Sequence, residues 1–129
     1  MRDLVHNVGA VQVVGPSVLT VTTTSAAIDL SGFGSAALVV NTGAIAGSGD
    51  FSAKLQESDT TTSGDFTDVA AADLQGALPA SLAADSVVKV GYGGNKRYLR
   101  AVITKNGGTS IAAGAVLVKG NPRLAPVAA

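Results

Sequence analysis

Short alternating segments separated by turn residues are the feature that most limits the folds open to this chain. Phe51, Ala53 and Leu55 occupy one face of a strand, while Ser52 and Lys54 occupy the other. Glycine, asparagine and proline interrupt such segments about every ten residues, which is the spacing of short strands in a sandwich or barrel. The pattern therefore predicts an all-β fold: an antiparallel β-sandwich, jelly-roll-like, with about eight short strands.

Two segments are apolar on both faces and predict central strands. They are residues 36–42 (AALVVNT) and residues 111–118 (IAAGAVLV). A second pair of segments, residues 51–57 and 66–69, flanks a polar stretch that offers nothing to bury. This pair predicts a hairpin with a long tip.

The strongest alternation lies in the last third of the chain. Residues 87–92, 98–104 and 111–118 are separated by stretches that contain Gly-Gly-Asn and Asn-Gly-Gly, residue types that accept positive φ at little cost. We therefore expect these three strands to form an antiparallel meander. The residues of the middle strand expected to face the core are Leu99, Ala101 and Ile103.

The length predicts a single domain that carries two arms. A chain of 129 residues buries enough surface to fold as one unit. We expect residues 1–16 to form an N-terminal arm. Residues 121–129 contain two prolines that oppose ladder pairing, and predict a C-terminal arm. The only candidate for a helical turn is residues 79–84 (PASLAA), where proline suits the first helical position.

The chain is poor in the groups that catalysis and metal binding need. It has no cysteine and one histidine, His6. A disulfide, a thiolate nucleophile and a cysteine-ligated zinc site are excluded, and a catalytic triad would have to use His6. The five loop acids Asp50, Glu57, Asp59, Asp65 and Asp68 do not have EF-hand spacing, so solvated carboxylates are the favoured interpretation over a calcium site. We expect a protein that is not an enzyme and has no cofactor.

Charge is balanced overall but divided along the chain. Residues 29–85 hold eight acids and one lysine, a net charge of −7, whereas residues 86–129 hold seven cations and no acid. One interpretation is that the two stretches neutralise each other through cross-strand pairs. The other is that complementary patches guide subunits onto neighbours. A net charge of zero argues against a general nucleic-acid or membrane-surface binder, and no apolar run is long enough to span a membrane.

One cluster mixes cations with aromatic residues. Lys96, Arg97 and Arg100 lie close to Tyr92 and Tyr98, and such mixtures bind single-stranded nucleic acid in some proteins. Strand alternation offers a plainer explanation, in which an outward arginine stacks on an aromatic ring or pairs with an acid. A protein partner is the favoured role if the cluster binds anything.

Three stretches of the chain share the pattern of one known family. They are residues 50–69 (DFSAKLQESDTTTSGDFTDV), residues 96–104 (KRYLRAVIT) and residues 107–126 (GGTSIAAGAVLVKGNPRLAP). These stretches resemble the capsid decoration, or cement, proteins of tailed bacteriophages and prophages. The resemblance covers roughly residues 26–126. It implies a jelly-roll-like sandwich bound to the outside of an icosahedral shell, where it clamps the capsomers together.

The resemblance also implies partners and a location. The partners would be the major capsid protein of a tailed phage and neighbouring copies of the chain, as a dimer or trimer, with no nucleic acid and no membrane. The protein would be made in the cytoplasm of the bacterial host and would reside on the capsid exterior of the virion.

The candidate partner-binding residues are apolar and cationic residues of the two arms, together with the cations near Tyr98. Two other classes of function also stay open. The candidates are Leu4, Val5, Val8, Lys96, Arg97, Arg100, Arg123, Leu124 and Val127. The main alternative function is a phage tail or receptor-binding β-module that recognises a host surface glycan, which an aromatic-lined concavity at a loop end would favour. The second alternative is a small metal-dependent hydrolase, which would need acids clustered around an ion.

Overall fold

The computed structural model describes residues 3–123 and consists largely of β-strands. Six strands run for six to fourteen residues and four have two residues each. The strands are β1 (Gly9–Leu19), β2 (Thr23–Thr24), β3 (Ile28–Asp29), β4 (Phe33–Ala46), β5 (Asp50–Ser58), β6 (Thr67–Asp68), β7 (Leu74–Gln75), β8 (Val87–Tyr92), β9 (Tyr98–Gly107) and β10 (Ser110–Pro122). Two single 3₁₀ turns occur at Ser63–Asp65 and Ala71–Asp73.

The strands form two antiparallel sheets that pack face to face. The first sheet has the order β1-β10-β4-β8-β7, and the second has the order β2-β9-β5-β6, with β3 also paired to β9. Because β2 and β3 share one partner, they act as a single interrupted strand. With β7 set aside, the eight remaining strands have the orders 1-8-3-6 and 2-7-4-5, which is the jelly-roll arrangement. The prediction of an antiparallel, jelly-roll-like sandwich is confirmed.

The core lies between the sheets and is filled by the inward residues of the long strands. Leu99, Ala101 and Ile103 are at most 1% exposed, which confirms their predicted orientation. Each buried leucine or isoleucine contributes about 1.5–3 kcal/mol through removal from water. The largest fully buried side chains are Phe51, Leu38, Leu99, Ile103, Ile111, Leu117, Val40 and Val90.

The hairpin and the two central strands are also as predicted. β5 pairs with β6 through Gln56 opposite Asp68 and Glu57 opposite Thr67. β4 lies between β10 and β8, and β10 lies between β1 and β4, so both doubly apolar segments are central in the first sheet.

The predicted meander is wrong, because consecutive strands in the last third alternate between sheets. β8 pairs with β4, β9 pairs with β5, and β10 pairs with β1 and β4. Alternation within a strand shows which face is buried but not which strand lies beside it. The crossing from β9 to β10 is tight: Gly108 has φ +72°, and a side chain there would collide with the carbonyl oxygen of Ser48. Glycine therefore allows this turn to pack against the turn between β4 and β5.

The predicted helical turn at residues 79–84 is absent. The backbone there is irregular, and it is held by tertiary contacts. The N–H of Leu82 donates to the carbonyl of Phe51 at 2.7 Å, and the Thr42 hydroxyl donates to the carbonyl of Ala83 at 2.6 Å. The Leu82 side chain is buried in the core. These bonds satisfy backbone groups that a helix would have paired internally.

Part of each predicted arm belongs to a strand instead. Residues 9–16 belong to β1, which pairs with β10 at the edge of the first sheet. Pro16 falls in the irregular stretch between Val14 and Ser17, where a missing N–H removes no ladder bond. At the other terminus, Pro122 still pairs with Phe33 at the end of β10. Residues 124–129 of the predicted C-terminal arm lie outside the described residues.

Candidate protein-binding surfaces

Both ends of the described chain and three loops meet at one end of the sandwich. Gly9, where β1 begins, pairs with Lys119 near the end of β10, and Asp29 and Ser58 both pair with Tyr98 at the start of β9. The loops that continue from these positions are residues 30–32, 59–66 and 93–97. We call this region, together with residues 3–8 and 121–123, the cleft end.

A cleft of about 460 Å³ opens at the cleft end. Its walls come from the β3–β4 loop, the β8–β9 loop and the residue that follows β10. The charged residues that line it are Asp59, Lys96, Arg97 and Arg123. The jelly-roll connections therefore bring three of the predicted partner-binding cations together.

A two-pronged ion pair joins Asp29 and Arg97 beside the cleft. Arg97 donates from Nε to Oδ1 at 3.0 Å and from Nη2 to Oδ2 at 2.9 Å. These bonds, together with a bond from the Ser31 backbone N–H, lower the pKa of Asp29 from 3.8 to about 2. The Arg97 guanidinium also lies 5.2 Å from the centre of the Tyr98 ring. The pair fixes the orientation of Arg97 and leaves it half in solvent.

Tyr92 positions the loop that carries Lys96. The Tyr92 hydroxyl donates to Glu57 Oε1 at 2.7 Å and accepts from the Lys96 backbone N–H at 3.0 Å. Burial and the Glu57 carboxylate raise the pKa of Tyr92 well above its ordinary value. Gly94 passes over this ring so closely that a Cβ there would lie 2.5 Å from the hydroxyl oxygen. The Lys96 ammonium then pairs with Asp59 at 2.9 Å, and this bond raises the pKa of Lys96.

Arg100 does not belong to the cleft. Its guanidinium lies 4.4 Å from the centre of the Phe66 ring, on the outer face of the second sheet. Arg100 Nε donates to Gln56 Oε1 at 2.7 Å, and Nη1 donates to the Ser63 hydroxyl at 3.0 Å. The plainer sequence interpretation, an outward arginine stacked on an aromatic ring, describes this geometry. The ring is Phe66, from the β5–β6 loop, and not the neighbouring Tyr98.

The predicted apolar residues of the N-terminus lead into the cleft end. Leu4 and Val5 are 59% and 54% exposed, and Val8 is half-buried. They precede β1 where it pairs with the end of β10. Leu124 and Val127 lie outside the described residues.

The acidic and the basic stretches of the chain partly neutralise each other within the fold. Two of the seven late cations, Lys96 and Arg97, pair with acids of the earlier stretch, Asp59 and Asp29. At the cleft end, the early acids and late cations therefore neutralise each other within the fold, although each pair includes a loop residue and neither joins facing residues of paired strands.

A second surface, the outer face of the first sheet, was not predicted from the sequence. Lys89 is the only charged residue at the outward positions of β1, β4, β8 and β10 within the described residues. Two rows across its centre consist of Gln12, Val116, Val39 and Lys89, followed by Gly114, Asn41 and Val87. The signal was the apolar character of β4 and β10 on both faces. It predicted only central strands, and no layer of residues 3–123 covers this face.

Residues 3–123 contain neither a cluster of metal ligands nor a helix that could span a membrane. No group of three or more acidic, histidine or cysteine side chains in this range could hold a metal ion. No helix within it is long and apolar enough to cross a membrane.

The fold places the chain in the class of jelly-roll β-sandwiches. No family model matches the sequence, and no curated protein matches it. Among solved structures, a chain from the Gx strain of infectious bursal disease virus is similar, at 16% sequence identity and a TM-score of 0.44. The match covers 89% of this chain and 32% of that one, so this chain spans about a third of the viral chain's length.

Proposed function

We propose that this chain is a structural virion protein that binds the outer surface of an icosahedral phage capsid and stabilises the shell. The partner would be the major capsid protein of a tailed phage, and the protein would act on the capsid exterior after synthesis in the bacterial host. The proposal assigns no catalytic step, cofactor, nucleic acid or membrane to the chain. Jelly rolls occur both in viral capsid proteins and in lectins, so the fold alone does not choose a function.

The observation that carries the proposal is the composition of the cleft end. The exposed Leu4 and Val5, the cations Lys96 and Arg97, and Arg123 beyond β10 all lie there. A surface that combines apolar side chains with a rim of charged residues suits a protein partner.

The apolar and charged parts have different roles in this binding. Exposed ion pairs contribute only about 0.2–1 kcal/mol each, so the cations act mainly on the rate and orientation of association. Burial of Leu4 and Val5 must then offset the ordering of the chain around them, which costs about 1–2 kcal/mol per residue. We therefore expect association with shells to slow as salt rises, because salt screens exposed charges.

Co-sedimentation with capsids tests the proposal. Expanded shells assembled from the major capsid protein of a tailed phage would be mixed with the purified chain, and the bound copies counted. We expect saturable binding and a higher temperature of shell disruption. Failure of the intact chain to bind such shells would remove the capsid proposal.

Charge reversal at the two ends of the sandwich locates the binding surface. Arg123→Glu changes a residue that lines the cleft, and Lys105→Glu makes the same change near the opposite end. We expect Arg123→Glu to lower shell occupancy and Lys105→Glu to leave it unchanged. Equal occupancy for both variants would show that the cleft end is not the docking surface.

The cleft also supports a second candidate, recognition of a host surface glycan. Phe33 and Tyr92 line it together with Asp59 and Asn95, so it combines aromatic rings with hydrogen-bonding side chains at a loop end. A glycan array followed by titration of any hit tests this candidate. Binding that Asn95→Ala abolishes, with no binding to shells, would favour a tail or receptor-binding module.

A further inference from the structure

The outer face of the first sheet is an apolar surface that no layer of residues 3–123 covers. Val18, Val87 and Val116 are 65%, 67% and 39% exposed, and all three point outward from this sheet. The outward positions of β5 and β9, by contrast, include Lys54 and Arg100. The two outer faces of the sandwich therefore differ in chemistry, and the valine-bearing face gains most from being covered.

The shape of this face combines a trough with a ridge. A trough of about 320 Å³ lies over Gly114, between Pro16 on one side and Val39 and Val87 on the other. Gly114 allows this close approach without a shift of the backbone, because a Cβ there would lie 3.1 Å from the Cα of Pro16. The bulge that carries Pro16 forms one wall, and the exposed side chain of Val87 forms the opposite ridge.

The occupant that fits this face best is the same face of a second copy. Strands lie about 4.8 Å apart and rise about 3.3 Å per residue, so four strands and four outward rows span roughly 20 Å by 25 Å. That is about 500 Å² per copy and roughly 1,000 Å² in a pair, the lower limit for a specific interface. Among the described residues, Lys89 is the only charge at the outward positions of this face, so these residues offer no charge pattern that would select a different partner.

We propose that the outer face of the first sheet packs against the same face of a second copy, which forms a two-fold symmetric dimer. The ridge at Val87 of each copy lies over the trough at Gly114 of the other, as an isologous contact requires. The proposal does not depend on shell binding, because the cleft end lies on a different part of the surface. The interface is small, so the dimer dissociates on dilution. It is driven by apolar burial and resists salt.

Sedimentation velocity over a hundredfold dilution series, at low and high salt, tests the dimer. We expect the full chain to pass from the 12.6 kDa monomer to twice that mass as concentration rises, at either salt level. A monomer at every concentration would overturn the proposal. A trimer would also overturn it, because a face-to-face pair leaves no face for a third copy.

Two valine substitutions of matched exposure show whether this face is the contact. Val87 is 67% exposed on the face, and Val21 is 64% exposed outside it, between β1 and β2. We expect Val87→Lys to remain monomeric and Val21→Lys to associate like the unchanged chain. Val18→Lys, at the rim, gives a second variant if Val87→Lys fails to fold. Equal association of Val21→Lys and every folded face variant would refute the assignment.

Discussion

Ile103 shows how strongly a single position in β9 is constrained. Its side chain is 0% exposed between the sheets, whereas Lys105, two residues later, lies near the strand end and is half-buried. Substitutions at these two residues test which side chains of β9 point into the core.

Replacing Ile103 with Asp should abolish folding, because the substitution buries an unpaired charge. Replacing Lys105 with Ala should lower the free energy of unfolding by under about 1 kcal/mol. Urea denaturation of both variants measures the difference. Similar losses of stability for the two variants would show that the assignment of Ile103 to the core side of β9 is wrong.

Asp29 should make the stability of the protein depend on pH in the acid range. Its folded-state pKa of about 2 lies below the ordinary 3.8, so its contribution is complete above 3.8 and is lost as pH falls towards 2. The carboxylate is partly exposed, so solvent screening limits the contribution to under about 1 kcal/mol.

The variant Asp29→Asn isolates this contribution. The difference in free energy of unfolding between the unchanged chain and Asp29→Asn should shrink as pH is lowered from 3.8 to 2. Urea midpoints measured across this range, with an NMR titration of the Asp29 carboxyl, check the result. A carboxyl that titrates at its ordinary pKa would contradict the prediction.

At the scale of the element, β10 determines where the chain can be shortened. The strand continues to Pro122, and the Arg123 N–H still donates to the Gly32 carbonyl at 2.8 Å. Removing residues 121–129 would delete these contacts, whereas removing only residues 124–129 preserves them.

Removing residues 124–129 should leave the free energy of unfolding nearly unchanged and lower shell occupancy, if Leu124 and Val127 bind the shell. Thermal melts and counts of bound copies, each compared with the full chain, measure the two effects. Full occupancy by the truncated chain would exclude these two residues from binding.

At the scale of the whole molecule, the sandwich has two opposite ends, and the jelly-roll connections place different loops at each. The β3–β4 loop with Ser31 lies at the cleft end, and Val21 lies at the other, beyond the end of β1. The chain has no cysteine, so a thiol introduced at either end is a unique label.

If the cleft end docks, shell binding should protect Ser31→Cys from a maleimide and leave Val21→Cys as reactive as in solution. Labelling rates with and without shells measure this orientation. The reverse pattern would place the opposite end against the capsid.

Local patterning determined the class of fold and the facing of the strands. Alternation around Leu99 and Ile103 required a half-buried strand, since side chains on successive residues point to opposite faces. The pattern of apolar segments on either side of a polar stretch also predicted the hairpin of β5 and β6. Sequence also identified Lys96 and Arg97 as candidates, because adjacent cations beside aromatic residues stand out without any structure.

Only the tertiary structure decided which strands are neighbours, and therefore where the surfaces lie. Ladder bonds between distant segments placed β8 and β10 in one sheet and β9 in the other, against the meander that short turns predicted. The same pairing places Arg123 and Lys96 in the lining of one cleft. It places the Arg100 guanidinium over the Phe66 ring, away from that cleft. The outward valines of β4 and β10, which no layer of residues 3–123 covers, had the same sequence signal as buried valines. A residue's hydrophobicity reports what it gains from being covered, whereas the packing of the sheets determines whether anything covers it.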